Sequence, residues 1–451
     1  MNDANDSGAL HDAVRTLRTP ATVRERCAAI AAAVGAGRSP HFEIDRGRLN
    51  AVAHRVAQLT RERYPTLDIP YHSRWRHFEA GRVDRKSDLD ARLLDRSTTS
   101  AARSRIDLTL ISVLLDAGAG PQWRYLEAVP SPQPSPRGRG SESGAVPQAT
   151  NTYTRSEGLA VATFRAFMAG RFSSDPGDPV RVDAAALLRM NADTLAEIFQ
   201  VRADNPLVGL EGRAALLRRL GEALRSQPAL FTTIGQPGHL FDTLTHHSHA
   251  PKLNHHRPAV AAQVPRQHHL KASRILGALL DAFSEIWPSG QSLGDLPMGD
   301  VWRHPRAGGQ GLSAGHVPFH KLSQWLTYSL LEPFEWAGVA VTDLDELTAL
   351  PEYRNGGLLI DGGVIVPRDK GFAAQARSPA DEWVIEWRAL TIALTDELAP
   401  LVRAELGLSA EQLPLARILE GGTWAAGRQI AKELRDDGSP PVSIQSDGTV
   451  F

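Results

Sequence analysis

The stretch AARSRIDLTLISVLLDA, residues 101–117, decides the fold class of this chain. Apolar side chains recur through it at three- and four-residue spacing, with Leu108, Ile111 and Leu115 on one side, which predicts a buried helix. Gly118 follows directly, and glycine is typical of the position just past a helix end. A helix this apolar needs other helices around it.

Similar helical spacing extends outward along most of the chain, whereas strand patterns are few. Helices are expected at 10–36 with a break at Pro20, 47–61, 156–170, 183–200, 212–225, 271–285, 320–331, 381–400 and 423–435. The clearest strand pattern predicts a short hairpin of Leu358–Ile360 and Gly363–Val366, entered through Gly356-Gly357. The fold class is therefore mainly α: one multi-helical domain over residues 1–451, with a short β-hairpin.

Two segments are expected to be inserted loops. Residues 130–150 begin with PSPQPSPRGRGSESGAVP, which has too few apolar side chains to form a core and predicts disorder. Residues 245–269 contain seven of the 16 histidines of the chain. Imidazole is a common metal ligand, but no cysteine or carboxylate joins this group and three prolines interrupt it. We therefore interpret it as a polar loop and expect no physiological metal.

Composition excludes several classes of protein. The 451 residues carry a formal net charge of −1, so no overall basic field exists to attract nucleic acid or an anionic membrane. Cys27 is the only cysteine, which excludes an intramolecular disulfide and a cysteine-based zinc cluster. The start, Met1 to Leu10, is too polar for a signal peptide, and no apolar run is long enough to span a membrane. We expect a cytoplasmic protein of undetermined oligomeric state.

The segment HSRWRHF, residues 72–78, alternates cations and aromatic rings. Arg74 and Arg76 offer bidentate donors to a phosphate, His72 adds another donor, and Trp75 could stack on a base or sugar. The alternative is a half-buried loop whose arginines pair with nearby carboxylates. We favour the ligand-binding interpretation.

Asp107 lies on an apolar face of the helix at 101–117. A buried carboxylate must be paired or have a raised pKa. A structural pair with an arginine elsewhere is the simpler interpretation, and a catalytic acid is the alternative.

Two later helices carry polar groups at unusual positions. Lys321, Gln324 and Tyr328 share one stripe and could line a pocket, although a solvated face would have the same spacing. Glu386 and Arg388 are embedded among apolar residues, so they need either protein partners or a ligand.

The densest polar stretch is LPEYRNGGLLID, residues 350–361. Glu352, Tyr353, Arg354 and Asn355 place a carboxylate, a phenol, a guanidinium and an amide side by side. A carboxylate can stabilise a cation or activate water, and arginine supplies a rigid donor fork. The alternative is a solvated helix end before a glycine-rich turn. No dinucleotide-binding, Walker, nucleophile-elbow or zincin motif occurs in the chain.

Taken together, these motifs resemble the uracil-catabolism family first named from fungal uracil degradation genes. The resemblance covers nearly the whole chain. The segments 130–150 and 245–269 depart from it and are expected to be insertions peculiar to this chain. It is carried by HSRWRHF at 72–78, RSEG at 155–158, NPLVGLEGR at 205–213, LPEYRNGG at 350–357, EWRALT at 386–391 and GTVF at 448–451.

A more distant resemblance covers roughly the C-terminal third. Phe319-x-Lys321-x-x-Gln324, Glu352-Tyr353-Arg354 and the segment IEWRA at 385–389 are similar, in the same order, to the queuosine-salvage nucleotide hydrolases. Those enzymes have a helical fold related to DNA glycosylases, and they cleave the N-glycosidic bond of a nucleoside monophosphate. They have an aspartate where this chain has Glu352. The resemblance thus implies a DNA-glycosylase-like core, with Glu352 at the catalytic position.

The two resemblances imply an N-glycosidase-type hydrolase of pyrimidine breakdown. Its expected substrate is a phosphorylated ribosyl compound, such as ribosylurea 5′-phosphate, from which urea would be released without a metal or cofactor. Expected catalytic residues are Glu352, with Asp361 or Asp107 as a second acid. Expected substrate contacts are His72, Arg74, Trp75, Arg76, Lys321, Gln324, Tyr328, Tyr353, Arg354, Asn355, Glu386 and Arg388, among which Arg74, Arg76 and Arg354 are expected to hold the phosphate.

Two alternatives remain open. One is a hydrolase or lyase acting on a C–N bond of the opened pyrimidine itself. The other is a non-catalytic partner of the ring-opening enzyme.

Overall fold

The computed structural model describes residues 3–128, 150–246, 268–287 and 291–445, and helices dominate these segments. The helices are α1 Asp3–Leu17, α2 Pro20–Gly35, α3 Leu49–Arg63, α4 Arg74–Phe78, α5 Arg85–Leu93, α6 Thr98–Leu114, α7 Arg155–Met168, α8 Ala184–Leu188, α9 Ala192–Ile198, α10 Leu210–Ser226, α11 Pro228–Phe231, α12 Leu240–His246, α13 Ala272–Phe283, α14 Lys321–Trp336, α15 Tyr353–Asp361, α16 Glu382–Leu406, α17 Leu415–Ile418 and α18 Trp424–Leu434. The expectation of a mainly α fold is confirmed. A DNA-glycosylase-like core remains a prediction.

Short strands form six separate pairs within the described segments. The antiparallel pairs are β1 Phe42–Ile44 with β10 Ile365–Pro367, β2 Arg124–Ala128 with β3 Thr150–Thr154, β5 Ser292–Leu293 with β6 Leu296–Pro297, and β7 Val301–Arg303 with β8 His316–Pro318. The parallel pairs are β4 His268–Lys271 with β9 Val339–Thr342, and β11 Ala376–Arg377 with β12 Ser443–Ile444. Several of them tie distant parts of the chain together between the helices.

The predicted helix at 183–200 is wrong in one respect, since it is two helices, α8 and α9. Asn191 separates them because it adopts extended backbone and its side chain accepts a hydrogen bond from the Thr194 amide. Such an N-cap starts a new helix, even though the apolar spacing continues through it.

The predicted hairpin at 358–366 is also wrong. Leu358–Ile360 belongs to α15, and the strand that follows, β10, pairs with β1 from the opposite end of the chain. Gly356 is helical and is not a turn, and a Cβ there would lie 2.4 Å from the Trp387 ring. The glycine therefore permits close packing of α15 on α16.

The 25-residue helix α16 lies at the centre of the core. The side chain of Asp381 caps its start, and Gly407, with φ of 69°, ends it in the left-handed conformation that glycine favours. It packs against α2 and α3 on one side and α15 on another, while α6 packs against α14. Trp383 and Trp387 are buried along it. This framework holds the first turns of α14 and α15 in place.

Helix α15 also packs on α18 through Gly427, where a Cβ would lie 2.1 Å from the carbonyl oxygen of Arg354. Gly427→Ala is expected to lower the free energy of unfolding by about 1–3 kcal/mol, because backbone cannot yield to the added methyl group. Gly277 in α13 is the matched control, since a Cβ there would have nothing within 4 Å. Gly277→Ala should raise stability by about 0.5–1 kcal/mol. Chemical denaturation measures both, and equal effects would contradict the packing argument.

The predicted insertions fall largely outside the described residues, namely at 129–149 and 247–267. The described ends of the first are β2 and β3, and those of the second are α12 and β4. The motif at 448–451 also lies outside. None of the helices in the described part of the chain combines the length and apolar character that a membrane-spanning segment requires.

Candidate active site

A cavity of about 630 Å³ opens where the first turns of α7, α14, α15 and α18 converge. We call it the inner chamber. Its charged, imidazole and aromatic wall residues are His72, His77, Asp116, Arg155, Glu157, Lys321, Trp325, Glu352, Tyr353, Trp424, Arg354, Arg428 and Asp437.

A second, more polar cavity of about 830 Å³ adjoins it, and we call this the outer chamber. Its charged wall residues are Arg63, Arg76, Glu79, Arg155, Glu157, Arg354, Glu420, Arg428, Lys432 and Asp437. Five of these residues also line the inner chamber. The two chambers therefore share one stretch of wall.

Glu352 is the N-cap of α15. One of its carboxylate oxygens accepts a hydrogen bond from the Arg354 amide at 2.8 Å, and the other accepts one from the Asn355 amide at 2.6 Å. Each carboxylate oxygen has a second lone pair, so capping leaves acceptor capacity for a ligand. Burial raises the pKa of Glu352, while the two amides and the nearby Lys321 oppose that rise. The cap thus fixes the carboxylate rigidly in the chamber wall.

Lys321 is the first residue of α14, after His320 in a left-handed conformation with φ of 50°. Its backbone amide donates to a carboxylate oxygen of Asp300 at 3.0 Å, which anchors this turn. Burial lowers the pKa of Lys321 to about 8, the charge of Arg388 lowers it as well, and the charge of Glu352 raises it. A lysine in this state can bind an anionic group or give up a proton near neutral pH.

His72 lines the inner chamber from a different part of the chain. Its Nδ1 lies 3.0 Å from one carboxylate oxygen of Glu420, whose other oxygen accepts hydrogen bonds from Arg63 and Tyr64. A carboxylate at Nδ1 orients an imidazole ring. Nearby, burial lowers the pKa of His77 well below its usual value.

Five predicted site residues line the inner chamber: His72, Lys321, Glu352, Tyr353 and Arg354. They come from three separate parts of the chain and meet at one place. From the stretch 350–361, Leu350, Glu352, Tyr353 and Arg354 line this cavity, and their role in binding or catalysis remains a prediction.

Asp361 and Asp107, the predicted second acids, lie elsewhere. Asp361 pairs with Arg435 through two hydrogen bonds of 3.0 and 2.5 Å. Asp107 accepts hydrogen bonds from the Val182 amide, the Gly238 amide and the Gln236 side chain at 3.1, 2.7 and 2.7 Å, and burial raises its pKa to about 7. The predicted ion pair of Asp107 with an arginine is therefore wrong, because the groups that bind this carboxylate are amides. Neither carboxylate lines a chamber.

Arg74 and Trp75 lie behind the wall. The Arg74 guanidinium is fully buried, 2.9 Å from a carboxylate oxygen of Asp116, and its Nε donates to Ser112. Trp75 packs edge-on against Phe78. Because Arg74 has protein partners, it supports the wall rather than contacting the cavity directly.

Arg76 and Asn355 have protein partners as well. Arg76 lines the outer chamber, where it pairs with Glu79 and Glu332 at 2.8 Å each. The Asn355 side chain donates to the Leu350 carbonyl at 3.1 Å, behind the wall of the inner chamber.

The three polar side chains predicted to share one face of α14 have different roles. Lys321 faces the inner chamber, whereas Gln324 and Tyr328 hold Thr348. The Thr348 amide donates to the side-chain oxygen Oε1 of Gln324 at 3.1 Å, and the Tyr328 hydroxyl donates to the Thr348 backbone carbonyl at 2.9 Å. Both side chains therefore position the segment that leads to Glu352.

Arg388 forms a buried pair with Asp300, donating to its two oxygens at 2.8 and 2.7 Å. Asp300 in turn accepts from Trp302 and from the Lys321 amide. Arg388 therefore helps to position Lys321 through Asp300, and it does not itself line the inner chamber.

Glu386 belongs to the one group among the described residues whose atoms lie close enough to hold a metal, together with His304 and Glu382. Arg306 already lies 3.0 Å from Glu382 and 3.6 Å from Glu386. The backbone amide of Arg306 also donates to Nδ1 of His304, which places the ring proton on the Nε2 atom that a metal would need. These residues fit an arginine-neutralised ion network better than a metal site.

Sequence reasoning missed several wall residues. Asp116 follows α6, and Arg155 starts α7 in a left-handed conformation with φ of 53°. Trp424 and Arg428 were not missed in this way, because their spacing of one turn predicts a stacking pair or a lid. They stack here, with 5.6 Å between the guanidinium carbon and the ring centroid. Asp116 had no such signal.

Comparison with known proteins gives a consistent result. The profile of a family described as "Protein of unknown function (DUF1688)" matches residues 16–451. "Uracil catabolism protein 4" of Lachancea kluyveri is 36% identical over 442 residues, covering 92% of this chain and 93% of that protein. "Protein urg3" of Schizosaccharomyces pombe (strain 972 / ATCC 24843) is 37% identical over 422 residues, covering 91% and 92%. The family resemblance of the sequence motifs is confirmed. The similarity to queuosine-salvage hydrolases remains a prediction.

Proposed function

Because the chain belongs to the family described as "Protein of unknown function (DUF1688)", and a relative similar over nearly its whole length is named Uracil catabolism protein 4, we propose that it acts in uracil catabolism. The proposed reaction is hydrolysis of the N-glycosidic bond of a ring-opened pyrimidine nucleotide such as ribosylurea 5′-phosphate. One observation carries the proposal: a capped carboxylate, Glu352, and a lysine of lowered pKa, Lys321, line one cavity and shift each other's pKa.

The reaction needs two kinds of group. The bond between C1′ of the ribose and the urea nitrogen breaks, and its electrons leave with the nitrogen, which takes up a proton. The oxygen of a water molecule bonds to C1′ and loses a proton, so the products are urea and ribose 5-phosphate. Positive charge develops on the sugar in the transition state, as in glycoside hydrolysis.

Glu352 supplies the negative charge. Its two backbone hydrogen bonds hold it in place before substrate arrives, and a preorganised charge stabilises a developing cation without reorganisation. The same carboxylate can accept the proton of the attacking water. In this proposal Glu352 acts without a second acid, because Asp361 and Asp107, the predicted candidates for that role, do not line the cavity.

Lys321 supplies the proton for the departing urea nitrogen. A pKa of about 8 makes it a stronger acid than an ordinary lysine while it stays mostly protonated at pH 7. Because the first turn of α14 is anchored on Asp300, the position of Lys321 relative to Glu352 is fixed.

The direct test incubates purified protein with ribosylurea 5′-phosphate and measures urea and reducing sugar. Release of both in equal amounts supports the proposal. Release of ammonia without reducing sugar would instead support an enzyme acting on a C–N bond of the opened pyrimidine. No turnover of any ring-opened nucleotide would contradict an enzymatic role.

The pH dependence of kcat tests the role of Lys321. The rate is expected to fall about tenfold per pH unit above about 8, because the proton donor is lost there, and to fall at low pH as Glu352 is protonated. Lys321→Arg should lower kcat at every pH, because arginine does not give up its proton, and the remaining rate should show no alkaline decline up to about pH 10. An alkaline decline unchanged in Lys321→Arg would assign that proton to another group.

A further inference from the structure

The wall shared by the two chambers consists of Arg155, Glu157, Arg354, Arg428 and Asp437. Three of these five side chains are guanidinium groups. Such a concentration of like charge is unfavourable unless carboxylates or a bound anion balance it, so the partners of each arginine decide what this wall can bind.

Arg354 is 9% exposed, and within the described part of the chain its guanidinium makes one hydrogen bond, from Nη1 to the Gly438 carbonyl at 3.1 Å. No carboxylate in the described segments lies within ion-pair distance of it. Burial lowers the pKa of Arg354, Glu352 opposes this, and the neighbouring charges of Arg155 and Arg428 lower it further. Arg354 therefore presents a buried positive charge that the described side chains leave largely unneutralised.

Arg155 is exposed and has no ion pair among the described residues. Its φ of 53° is uncommon for a residue with a side chain, and the conformation occurs at the first residue of α7. The side chain of Thr154, the preceding residue, makes no capping hydrogen bond, so the first amides of α7 also remain available beside Arg155.

Arg428 is held over the Trp424 ring and lies 3.8 Å from Glu157, at the outer limit of an ion pair. The other acid of the shared wall, Asp437, accepts a hydrogen bond from the Ser439 amide at 2.9 Å, which commits it to a turn. The two acids thus balance the three arginines only in part.

The outer chamber adds to this excess. Its wall contains six cationic and four acidic side chains, and Glu79 and Glu420 are engaged by Arg76 at 2.8 Å and by Arg63 at 3.1 Å. The unbalanced positive charge therefore lies around the shared wall and not evenly over the cavity.

We propose that Arg155, Arg354 and Arg428 form a subsite for a phosphate monoester dianion, which orients the sugar of the substrate toward Glu352 and Lys321. Guanidinium groups form paired hydrogen bonds with phosphate oxygens, and several of them can surround a tetrahedral dianion. The assignment of the phosphate to a substrate rests on the proposed function, whereas the binding of the dianion does not. The subsite replaces Arg74 and Arg76 as phosphate ligands.

Calorimetric titration of the intact protein with inorganic phosphate tests the subsite without any turnover. Arg155→Met and Arg428→Met are each expected to weaken phosphate binding about 10- to 100-fold, the range for loss of one charge-assisted hydrogen-bonding partner. Arg155 is the main variant because it is exposed and methionine at φ of 53° has the same backbone cost. Arg219→Met, on the exposed side of α10, removes the same charge outside both chambers and should change the affinity less than about twofold.

Acetate is the comparison ligand, and it should bind far more weakly than phosphate. Equal affinity for acetate, or phosphate binding unaffected by Arg155→Met and Arg428→Met, would overturn the subsite.

The same samples are assayed with ribosylurea and its 5′-phosphate. Phosphate binding that depends on both arginines, without turnover, would retain the subsite and refute the hydrolase. Turnover that is equally efficient on both compounds would retain the hydrolase and refute the subsite.

Discussion

Glu352→Gln is expected to lower kcat for N-glycosidic hydrolysis by about 10²- to 10⁴-fold, the usual range for loss of a positioned acid–base group. The amide cannot carry the negative charge that stabilises the sugar cation, nor accept the proton of water. KM should change little, because the phosphate is held by other residues. Steady-state kinetics on ribosylurea 5′-phosphate, together with phosphate titration of the variant, measure the two effects separately.

The control must account for the second role of Glu352 as a helix cap. Asp84 caps α5 through the Ser87 amide at 3.0 Å and lies outside both chambers. Asp84→Asn makes the same chemical change at a helix start. Because an amide side chain still caps a helix and only the favourable charge at the helix start is lost, each variant should lose less than about 1 kcal/mol of stability. Only Glu352→Gln should lose turnover. Full activity in Glu352→Gln, or an equal loss in Asp84→Asn, would remove Glu352 from the mechanism.

Arg388→Met is expected to lower the free energy of unfolding by about 3–5 kcal/mol, because it leaves Asp300 buried without its main positive partner. This outcome separates the structural role of Arg388 from the substrate contact that its sequence position suggested. Chemical denaturation gives the stability, and the activity of the folded fraction gives KM.

A double variant provides the control. Asp300→Leu combined with Arg388→Met removes both charges and should recover part of the lost stability, since no uncompensated charge remains. Unchanged stability in Arg388→Met together with a large increase in KM would place Arg388 in the substrate site after all.

Periodicity predicted most of the helices because burial on one face is a local property of the sequence. Periodicity gave a wrong prediction where the same sequence pattern fits two different structures. The apolar run at 358–360 suits a strand or a buried helix turn, and only the capping by Glu352 and the contact with Trp387 select the helix. Asn191 caused the opposite error, since a single side-chain hydrogen bond interrupted a continuous pattern.

Sequence reasoning found residues of the cavity wall where several polar groups cluster in sequence, as at 352–354. Arg74 and Arg388 could not be assigned, because an arginine among apolar residues has the same pattern whether its partner is a ligand or a distant carboxylate. Their partners, Asp116 and Asp300, are single residues elsewhere in the chain. Arg155 was missed for a related reason: its proposed role in the phosphate subsite depends on sharing a wall with Arg354 and Arg428, which is a property of the fold.

The wall of the inner chamber draws on residues from 72 to 440. The wall cannot be completed before α18 has docked on α15. Contacts between such distant segments are typical of slow folding. A ligand that binds this cavity should stabilise the whole molecule by mass action, by about 2.7 kcal/mol at 100 times its Kd. A shift in melting temperature could therefore screen ring-opened nucleotides as ligands before any reaction is observed.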